Sequence, residues 1–385
     1  MAPPSPSPAS LSQVVDALER RYPPASAEPW DAVGLVCGDP DAPVRSILWA
    51  VDPVAAVADE ALALGADLIV VHHPLLLSPV HSVAATDAKG SLLHRLIRGG
   101  VALYVAHTNA DVASPGVSDA LAAALGLLQT RPLQALPARP MDTVVVMVPE
   151  SHVARLRAAL AEAGAGTLGE YDACSFETAG IGRFRARDSA RPMIGTAGDN
   201  AVPEVRLEMA LPRSRRDAVR AAISAVHPYE EPAYEIHERA AYDGDTGLGR
   251  VGVLPEPTTL AALADRVAVR LPATHHGVRV LGDLERPVLT VAVCGGSGDS
   301  LLGAADAAGA DAYVTADLKH HRALEHDEAG GCAVIDVAHW ASEWPWLAQA
   351  SGLLLADLDA EGATVESRVS DLPTDPWSAH LDSVT

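Results

Sequence analysis

The chain has 385 residues, of which 49% are hydrophobic and 20% charged, as is ordinary for a globular protein with two or three domains. Its formal net charge of −22 disfavours binding to the phosphate backbone of nucleic acids and to anionic membranes. The four cysteines have no CxxC spacing, which argues against a disulfide scaffold or a cysteine-based zinc site. With neither a secretory signal pattern nor a membrane-length apolar run, the sequence predicts a cytoplasmic protein.

The first 140 residues alternate between strand-like and helix-like segments. After a start, MAPPSPSP, that we expect to be disordered, Ser10 and Gln13 form a capping-box pattern for a first helix. The predicted elements are a helix at 11–21, a strand at 44–52, a helix at 53–64, a strand at 66–71, a helix near 89–98, a strand at 101–107, and a helix with Ser114 as cap and Pro115 first. This order predicts parallel strands joined by right-handed crossovers.

The middle of the chain has a different pattern. Residues 128–140, rich in proline, read as a linker, and two similar strand-and-helix units follow, with Pro149 and Ser151 recurring as Pro212 and Ser214. One unit used twice predicts a ferredoxin-like βαββαβ domain. Strands at 288–298, 310–317 and 332–339 then restore the α/β pattern. We therefore predict an α/β core (1–140 and 251–370) interrupted by an inserted domain (141–250), with a C-terminal tail (371–385).

Three predicted strands end in residues that commonly bind metals. These residues are His72 and His73 in VVHHP, His107 and Asp111 in AHTNAD, and His339 and Glu343 in AHWASE. Sites in open α/β sheets form at the carboxyl ends of strands, so three distant segments can meet there. Four imidazoles and two carboxylates are too many for one tetrahedral ion, but they suit two ions about 3.5–4 Å apart. Mixed ligands of this kind fit Zn²⁺, Mn²⁺, Fe or Ni²⁺.

Local sequence refines this hypothesis. Pro74 ends the regular strand, which lets His72 and His73 diverge towards different ions. Because proline prefers the first turn of a helix, Pro345 places Glu343 on the turn before a helix rather than inside it.

Each of these features also has a simpler interpretation. A single histidine at a strand end is usually just a polar group, and an HxxxE pair is common on solvated helices. The joint occurrence of three such pieces favours a metal site. CGGSGDS (294–300) reads either as a phosphate-binding turn or as a tight strand-to-helix turn. His321, in TADLKHH, reads either as a proton shuttle or as part of a solvated loop.

Five separated segments, in the same order along the chain, resemble one known family. They are WDAVGLVCGD (30–39), VVHHPLL (71–77), AHTNADVASPGVSDAL (106–121), TADLKHH (315–321) and IDVAHWASEWPWL (335–347). Together they are similar to the dinuclear-metal-centre proteins called GTP cyclohydrolase 1 type 2 homologs. LGEYDACSFETAGIGRFRA and HPYEEPAY resemble the extra domain of the family's longer members, which is related in shape to P-II and CutA proteins.

The resemblance implies a two-lobed α/β core, two divalent ions per chain and a ring of six chains. Its metal ligands fall on His72, His73, Asp111, His339 and Glu343, with His107 at the site. Glu343 would bridge the ions, with His72 and His339 on one ion and His73 and Asp111 on the other.

From these observations we hypothesise a metal-dependent hydrolase of a small molecule, such as a nucleotide, in which His107 or His321 moves protons. The alternative is a non-catalytic hexameric scaffold that stores or delivers metal, or that senses a metabolite through the inserted domain.

Overall fold

The computed structural model describes residues 8–381, so the disorder expected at the first residues and the last part of the tail fall outside it. The chain forms two compact units. Residues up to Leu136 and from Asp245 onward form the first, here the core unit, and Pro137–Gly244 form the second, here the inserted unit.

Eleven α-helices and seventeen strands are present in the described residues. The helices are α1 (Leu11–Arg21), α2 (Ala55–Leu64), α3 (Ala88–Gly99), α4 (Thr108–Asp111), α5 (Val117–Leu125), α6 (Val153–Glu162), α7 (Arg216–Val226), α8 (Leu260–Arg270), α9 (Leu302–Ala307), α10 (His320–Glu328) and α11 (His339–Ala360). The strands are β1 (Ala9–Ser10), β2 (Gly34–Cys37), β3 (Pro43–Val44), β4 (Ser46–Ala50), β5 (Leu68–Val71), β6 (Ala102–Val105), β7 (Leu128–Pro137), β8 (Met141–Pro149), β9 (Phe176–Ala186), β10 (Gly198–Pro212), β11 (Tyr234–Glu238), β12 (Asp243–Thr259), β13 (Arg279–Leu281), β14 (Pro287–Ser297), β15 (Ala312–Ala316), β16 (Ala333–Val337) and β17 (Glu366–Val369).

The first sheet of the core unit has the order β17-β4-β5-β6-β2. Strands β17, β4, β5 and β6 run parallel, and β2 pairs antiparallel with β6. Strands β4, β5 and β6 are apolar and almost wholly buried, as expected for parallel strands covered on both faces. The parallel arrangement predicted from the strand–helix alternation is confirmed.

The second sheet of the core unit has the order β13-β16-β15-β14-β12-β7. Its centre, β14, β15 and β16, is parallel, whereas β12 and β13 pair antiparallel with their neighbours. Helix α11 contacts β4 and β17 of the first sheet and β14 and β15 of the second. One apolar cluster therefore includes residues of both sheets and of α11, with Trp49 and Trp346 fully buried within it.

Three local predictions are wrong, each because proline was misinterpreted. Residues 128–137 form β7, not a linker, since prolines are tolerated on an edge strand. Helix α5 begins at Val117 with Gly116 as N-cap, not at Ser114 and Pro115; the Gly116 amide donates to the Asp119 carboxylate at 2.7 Å. Glu343 lies inside α11, which continues through Pro345.

The inserted unit has the element order β8-α6-β9-β10-α7-β11. Its four strands form one antiparallel sheet with the order β11-β8-β10-β9. The two helices pack together, and their buried residues share one apolar cluster with those of β8 and β10. The repeated proline motif has a structural basis, because β8 and β10 end at Pro149 and Pro212 and each leads through a short 3₁₀ turn into its helix.

Within residues 8–381, the helices are all too short or too polar to cross a lipid bilayer.

Candidate metal centre

The predicted ligand residues follow the carboxyl ends of strands from both sheets of the core unit. His72 and His73 follow β5, His107 follows β6, and His339 follows β16 by two residues. Asp111 ends the short helix α4, and Glu343 lies one turn into α11, on the same face as His339. The two sheets thus bring together, in space, segments that are separated by more than two hundred residues in the sequence.

The carboxylate of Glu343 lies at the centre of the cluster and is 3% exposed. Its Oε1 atom lies 2.9 Å from His339 Nε2 and 3.5 Å from His72 Nε2. Its Oε2 atom lies 3.1 Å from His73 Nε2. Asp111 joins through its Oδ1 atom, 3.6 Å from His72 Nε2. The two carboxylates and three of the imidazoles therefore share one small volume.

Each of the four histidines turns its other ring nitrogen away from this centre and towards an acceptor. His73 Nδ1 lies 2.6 Å from Asp52 Oδ1, and His339 Nδ1 lies 2.6 Å from Asp317 Oδ2. His107 Nδ1 lies 2.9 Å from Asp31 Oδ1. His72 Nδ1 lies 2.8 Å from the carbonyl oxygen of Ala106. Acceptors at Nδ1 fix the proton there, which is how metal-binding histidines are usually oriented.

With Nδ1 donating, each neutral imidazole presents a lone pair at Nε2. His72 Nε2 then faces the oxygens of Glu343 and Asp111, and His73 Nε2 faces His339 Nε2 at 3.2 Å. His72 Nε2 and Glu343 Oε2 are buried and have no well-oriented hydrogen-bond partner among the described residues. Converging lone pairs without donors are unfavourable in a buried site unless a cation lies between them. This donor set therefore fits divalent metal.

The pKa shifts also indicate that positive charge is favoured next to the Glu343 carboxylate. Burial opposes the charged form of His73, but the Glu343 and Asp52 carboxylates together outweigh it and raise the pKa of His73 to about 10. The Glu343 and Asp317 carboxylates outweigh burial in the same way and raise the pKa of His339 to about 11. Burial likewise opposes ionisation of Glu343, yet the three imidazoles beside it hold its pKa well below the ordinary value. Without a metal, protons supply the positive charge that this carboxylate needs.

Two overlapping groups have the spacing of metal ligands. One consists of His73, His339 and Glu343, and the other of His72, His73 and His107. The short distances place His73 next to His339 and His72 next to Asp111. The family resemblance implies a different pairing, with His72 and His339 on one ion and His73 and Asp111 on the other. His107 belongs to the second group, which is consistent with a direct ligand or with a neighbour of the ions.

The glycine-rich end of β14 belongs to this site. Gly296 has a φ of +68°, and a side chain there would lie 2.4 Å from Glu343 Oε1 and 3.2 Å from His339 Nε2. Its amide donates to the Ser342 hydroxyl at 2.8 Å. Glycine is therefore required so that the backbone can approach the central carboxylate. Of the two interpretations of CGGSGDS, the structure supports the tight turn.

Sequence reasoning missed two carboxylates that position the histidines. Asp31 accepts from His107 Nδ1 and from the Thr108 amide and hydroxyl, and Asp52 accepts from His73 Nδ1. Asp52 follows β4 by two residues and is the last residue of the strand predicted at 44–52, so its place at a strand end was an available signal. Asp31 lies in an irregular segment, and only its position within the family-like stretch WDAVGLVCGD indicated a role.

His321 lies apart from the cluster of ligands. It is exposed at the start of α10, and its ring packs against that of His320 with centroids 5.2 Å apart. It is not among the residues that line the cavity beside the metal centre. The exposed interpretation of His321 therefore fits the structure better than a proton shuttle.

Asp306, His326 and Cys332 also have the spacing of a metal site, but their polar atoms already have partners. Asp306 accepts from the Cys332 amide at 2.8 Å, and His326 Nε2 lies 2.9 Å from the Cys332 carbonyl oxygen. Burial, together with the charge of Asp306, raises the pKa of the Cys332 thiol to about 12. These contacts link α9, α10 and the residue that precedes β16, and we interpret the cluster as structural.

A cavity of about 510 Å³ opens beside the candidate metal centre. Residues of the metal centre and its surroundings line it together with residues near the C-terminus. Its lining includes Asp52, His73, Pro74, Leu77, His107, His276, Asp317, Ala338, His339, Trp340, Thr374, Asp375, Pro376 and Trp377. A volume of this size suits a small molecule rather than a macromolecule.

Known proteins are similar to this chain in sequence and in fold. The family described as Duf34/NIF3 (NGG1p interacting factor 3) matches residues 9–376. A Mycobacterium leprae protein named GTP cyclohydrolase 1 type 2 homolog is 49% identical over 372 residues, covering 96% of this chain and 95% of that protein. A Bacillus cereus protein related to NIF3 has a similar structure, with a TM-score of 0.77, 37% identity, and coverage of 96% of this chain and 99% of that one. A Staphylococcus aureus structure has a TM-score of 0.83 at 28% identity, with coverage of 97% and 99%.

These matches span nearly the whole chain, including the segments that carry the six predicted ligands and the inserted unit. The family resemblance expected from the five sequence segments is confirmed. The chain belongs to the DUF34/NIF3 family.

Proposed function

We propose that this protein is a metal-dependent hydrolase of a small molecule. In this proposal two divalent ions per chain are held by His72, His73, Asp111, His339 and Glu343, and His107 lies beside them with its Nε2 atom free to accept a proton. The observation that carries the proposal is the convergence of imidazole Nε2 lone pairs on the buried carboxylate of Glu343, beside an open cavity. A storage or structural site has no need of a ligand-sized cavity next to its ions.

Bound divalent ions would polarise the electrophile and lower the pKa of a bound water. The protein's own residues supply orientation and proton transfer. His107 lines the cavity, and burial followed by the nearby His72 lowers its pKa, so that the ring is neutral at pH 7 and can accept a proton at Nε2. In a hydrolysis, the water oxygen bonds to the electrophilic atom, the bond to the leaving group breaks, and His107 passes the water's proton to that group.

The test is turnover by the purified full-length chain against nucleotides, nucleosides and phosphoesters. The same preparation is assayed loaded with Zn²⁺ or Mn²⁺, and after removal of the metal. We expect hydrolysis only in the loaded form, restored by adding metal back. Stoichiometric metal binding without turnover across the panel would instead support the non-catalytic scaffold.

Asp31 and His107 provide a test of the proton-transfer role. We expect His107→Ala to lower kcat by about 100-fold, because general acid–base groups contribute about 10²–10⁴-fold. Asp31→Asn keeps the size of the side chain but weakens the acceptor that holds the Nδ1 proton of His107, so kcat should fall by about tenfold. Metal content, measured by elemental analysis, should change much less than kcat in the Asp31 variant.

The pH profile adds a readout that a merely structural role would not affect. Because burial lowers the pKa of His107, its neutral form predominates at neutral pH, and kcat should stay nearly constant as the pH falls from about 8 to about 7. Activity should then decline at lower pH as the imidazole is protonated. If Asp31→Asn left the dependence of kcat on pH unchanged, that result would contradict the proton-transfer role of His107.

Metal binding should release protons. With pKa values of about 10 and 11, His73 and His339 are protonated at pH 7 in the metal-free protein, and a metal must displace those protons. We expect release of about two protons per chain at pH 7, and metal affinity that falls as the pH is lowered. Calorimetric titration with Zn²⁺ in two buffers of different ionisation enthalpy measures the number directly.

The control for this titration is His320→Gln, which removes an exposed imidazole outside the cluster. That variant should release the same number of protons as the unaltered chain. Affinity that does not vary between pH 6 and pH 8 would show that these imidazoles do not bind the metal.

We infer further that the inserted unit is a ferredoxin-like domain of the P-II/CutA type. Its element order and antiparallel strand order β11-β8-β10-β9 support this assignment. Assembly of six chains into a ring remains an expectation from the family resemblance.

A further inference from the structure

The segment Thr374–Trp377, here the tail segment, lines the cavity beside the candidate metal centre. The sequence predicted only a C-terminal tail here, with no role. Four consecutive residues, Thr374, Asp375, Pro376 and Trp377, instead face the same space as His73, His107 and His339. They can therefore contact whatever molecule approaches the ions.

The tail segment is held in place by one hydrogen bond of its own and by two more at Ser370, four residues before it. The Ser370 amide donates to the carbonyl of Trp49 at 2.8 Å, and the Ser370 carbonyl accepts from Trp344 Nε1 at 3.2 Å. The Thr374 hydroxyl donates to Oδ2 of Asp52, whose Oδ1 atom accepts from His73. The tail thus connects to the metal centre through a single carboxylate, which fixes its position relative to the candidate ligands.

Two side chains of the tail segment remain available to a ligand. The Oδ2 atom of Asp375 is buried and has no hydrogen-bond partner among the described residues. The Trp377 ring borders the same cavity and is 65% exposed. A free carboxylate oxygen accepts N–H groups, and an exposed indole offers an aromatic face for stacking. Both features suit a planar ring that carries N–H donors.

The charge of the cavity argues against a polyphosphate. Within the described part of the chain, neither lysine nor arginine contributes to its lining. Six carboxylates belong to the centre and its lining: Asp31, Asp52, Asp111, Asp317, Glu343 and Asp375. Two divalent ions would balance four of these charges and leave two uncompensated. Such a site attracts neutral or cationic molecules and repels a triphosphate.

We propose that Asp375 and Trp377 determine specificity, and that they select an unphosphorylated, N–H-bearing planar heterocycle or its nucleoside over the nucleoside triphosphate. This inference rests on the proposed function, because it takes the metal centre as the reacting end of the cavity. In the bound state the ring stacks on Trp377, and the Asp375 side chain rotates so that its unpartnered Oδ2 atom accepts an N–H of the ring. The relatives' name, GTP cyclohydrolase 1 type 2 homolog, would then not describe the preferred ligand of this chain.

The experiment is equilibrium binding to the manganese-loaded full-length chain, with guanosine, GTP and inorganic triphosphate as probes. We expect guanosine to bind at least about tenfold more tightly than GTP, because like charges oppose the triphosphate. Trp377→Leu should weaken guanosine binding by about 5- to 100-fold, the range for loss of one stacked base. Asp375→Asn should weaken the binding of guanosine and strengthen the binding of GTP. The ratio of the two affinities should therefore fall by about tenfold.

Asp371→Asn is the matched control, since it removes the same charge from an exposed position before the tail segment. The preference of this variant for guanosine over GTP should equal that of the unaltered chain. Tighter binding of GTP than of guanosine, no detectable guanosine binding, or equal effects of the two aspartate variants would each overturn the inference. Turnover is measured separately. Preferred guanosine binding without hydrolysis would refute the proposed function alone, whereas preferred binding and hydrolysis of GTP would refute only this inference.

Discussion

Glu343→Gln should abolish both metal binding and hydrolysis. The two oxygens of Glu343 lie within 3.5 Å of three different imidazoles, so this carboxylate is the one group shared across the cluster. An amide has the same shape but carries no charge, and it directs N–H hydrogens at one side of the site. Loss of a residue that merely supports a ligand costs 10- to 100-fold in affinity or activity. Loss of the shared ligand should therefore lower both the metal affinity and the rate of hydrolysis by more than about 100-fold.

The measurements are metal per chain after dialysis, and kcat under metal-saturating conditions. Glu361→Gln is the matched control, because it removes a carboxylate from the other end of α11, where Glu361 pairs with Arg20 on the surface. That variant should keep full metal content and activity. Normal metal content in Glu343→Gln would contradict a bridging role, and normal turnover would contradict the hydrolase mechanism itself.

The positions of the predicted ligands could be foreseen because strand ends are visible in the sequence. Buried parallel strands are apolar runs, and polar residues that follow such runs must meet at one edge of a sheet. His73, His107 and His339 lie where this reasoning places them. The structure also shows ends of both sheets meeting around Glu343, an arrangement that depends on α11 packing between the sheets.

Other features of the site could not be foreseen, since they depend on contacts between distant segments. Asp31 is one of 50 acidic residues, and nothing adjacent to it in the sequence indicates that it will accept from His107. The tail segment is an ordinary short stretch around Pro376, and its place beside the metal centre is seen only from its hydrogen bond to Asp52 and its position in the cavity lining. Pro345 was misleading because α11 is held by packing on both sides, which outweighs the loss of one helical hydrogen bond.

Arg250→Met should lower the free energy of unfolding by about 3–5 kcal/mol, the usual cost of removing one partner from a buried ion pair. Arg250 is 1% exposed, and it donates from Nε and NH2 to the two carboxylate oxygens of Asp119, both at 2.7 Å. The same guanidinium also donates to the carbonyl oxygens of Gly247, Gly249 and Ala113. Methionine can fill the space, but it removes all five of these contacts and leaves the buried side of Asp119 with the Gly116 amide as its donor, so the loss of hydrogen bonds outweighs the gain in apolar burial.

The effect should also reach the metal centre, because Ala113 lies two residues after Asp111 and Arg250 fixes that turn. Denaturant unfolding measures stability, and calorimetry measures metal affinity. Arg20→Met, which breaks an exposed pair with Glu361, is the control and should cost less than about 1 kcal/mol. If Arg250→Met were as mild as this control, the guanidinium would not hold the turn. If stability fell while metal affinity stayed the same, Arg250 would support the fold but not the position of Asp111.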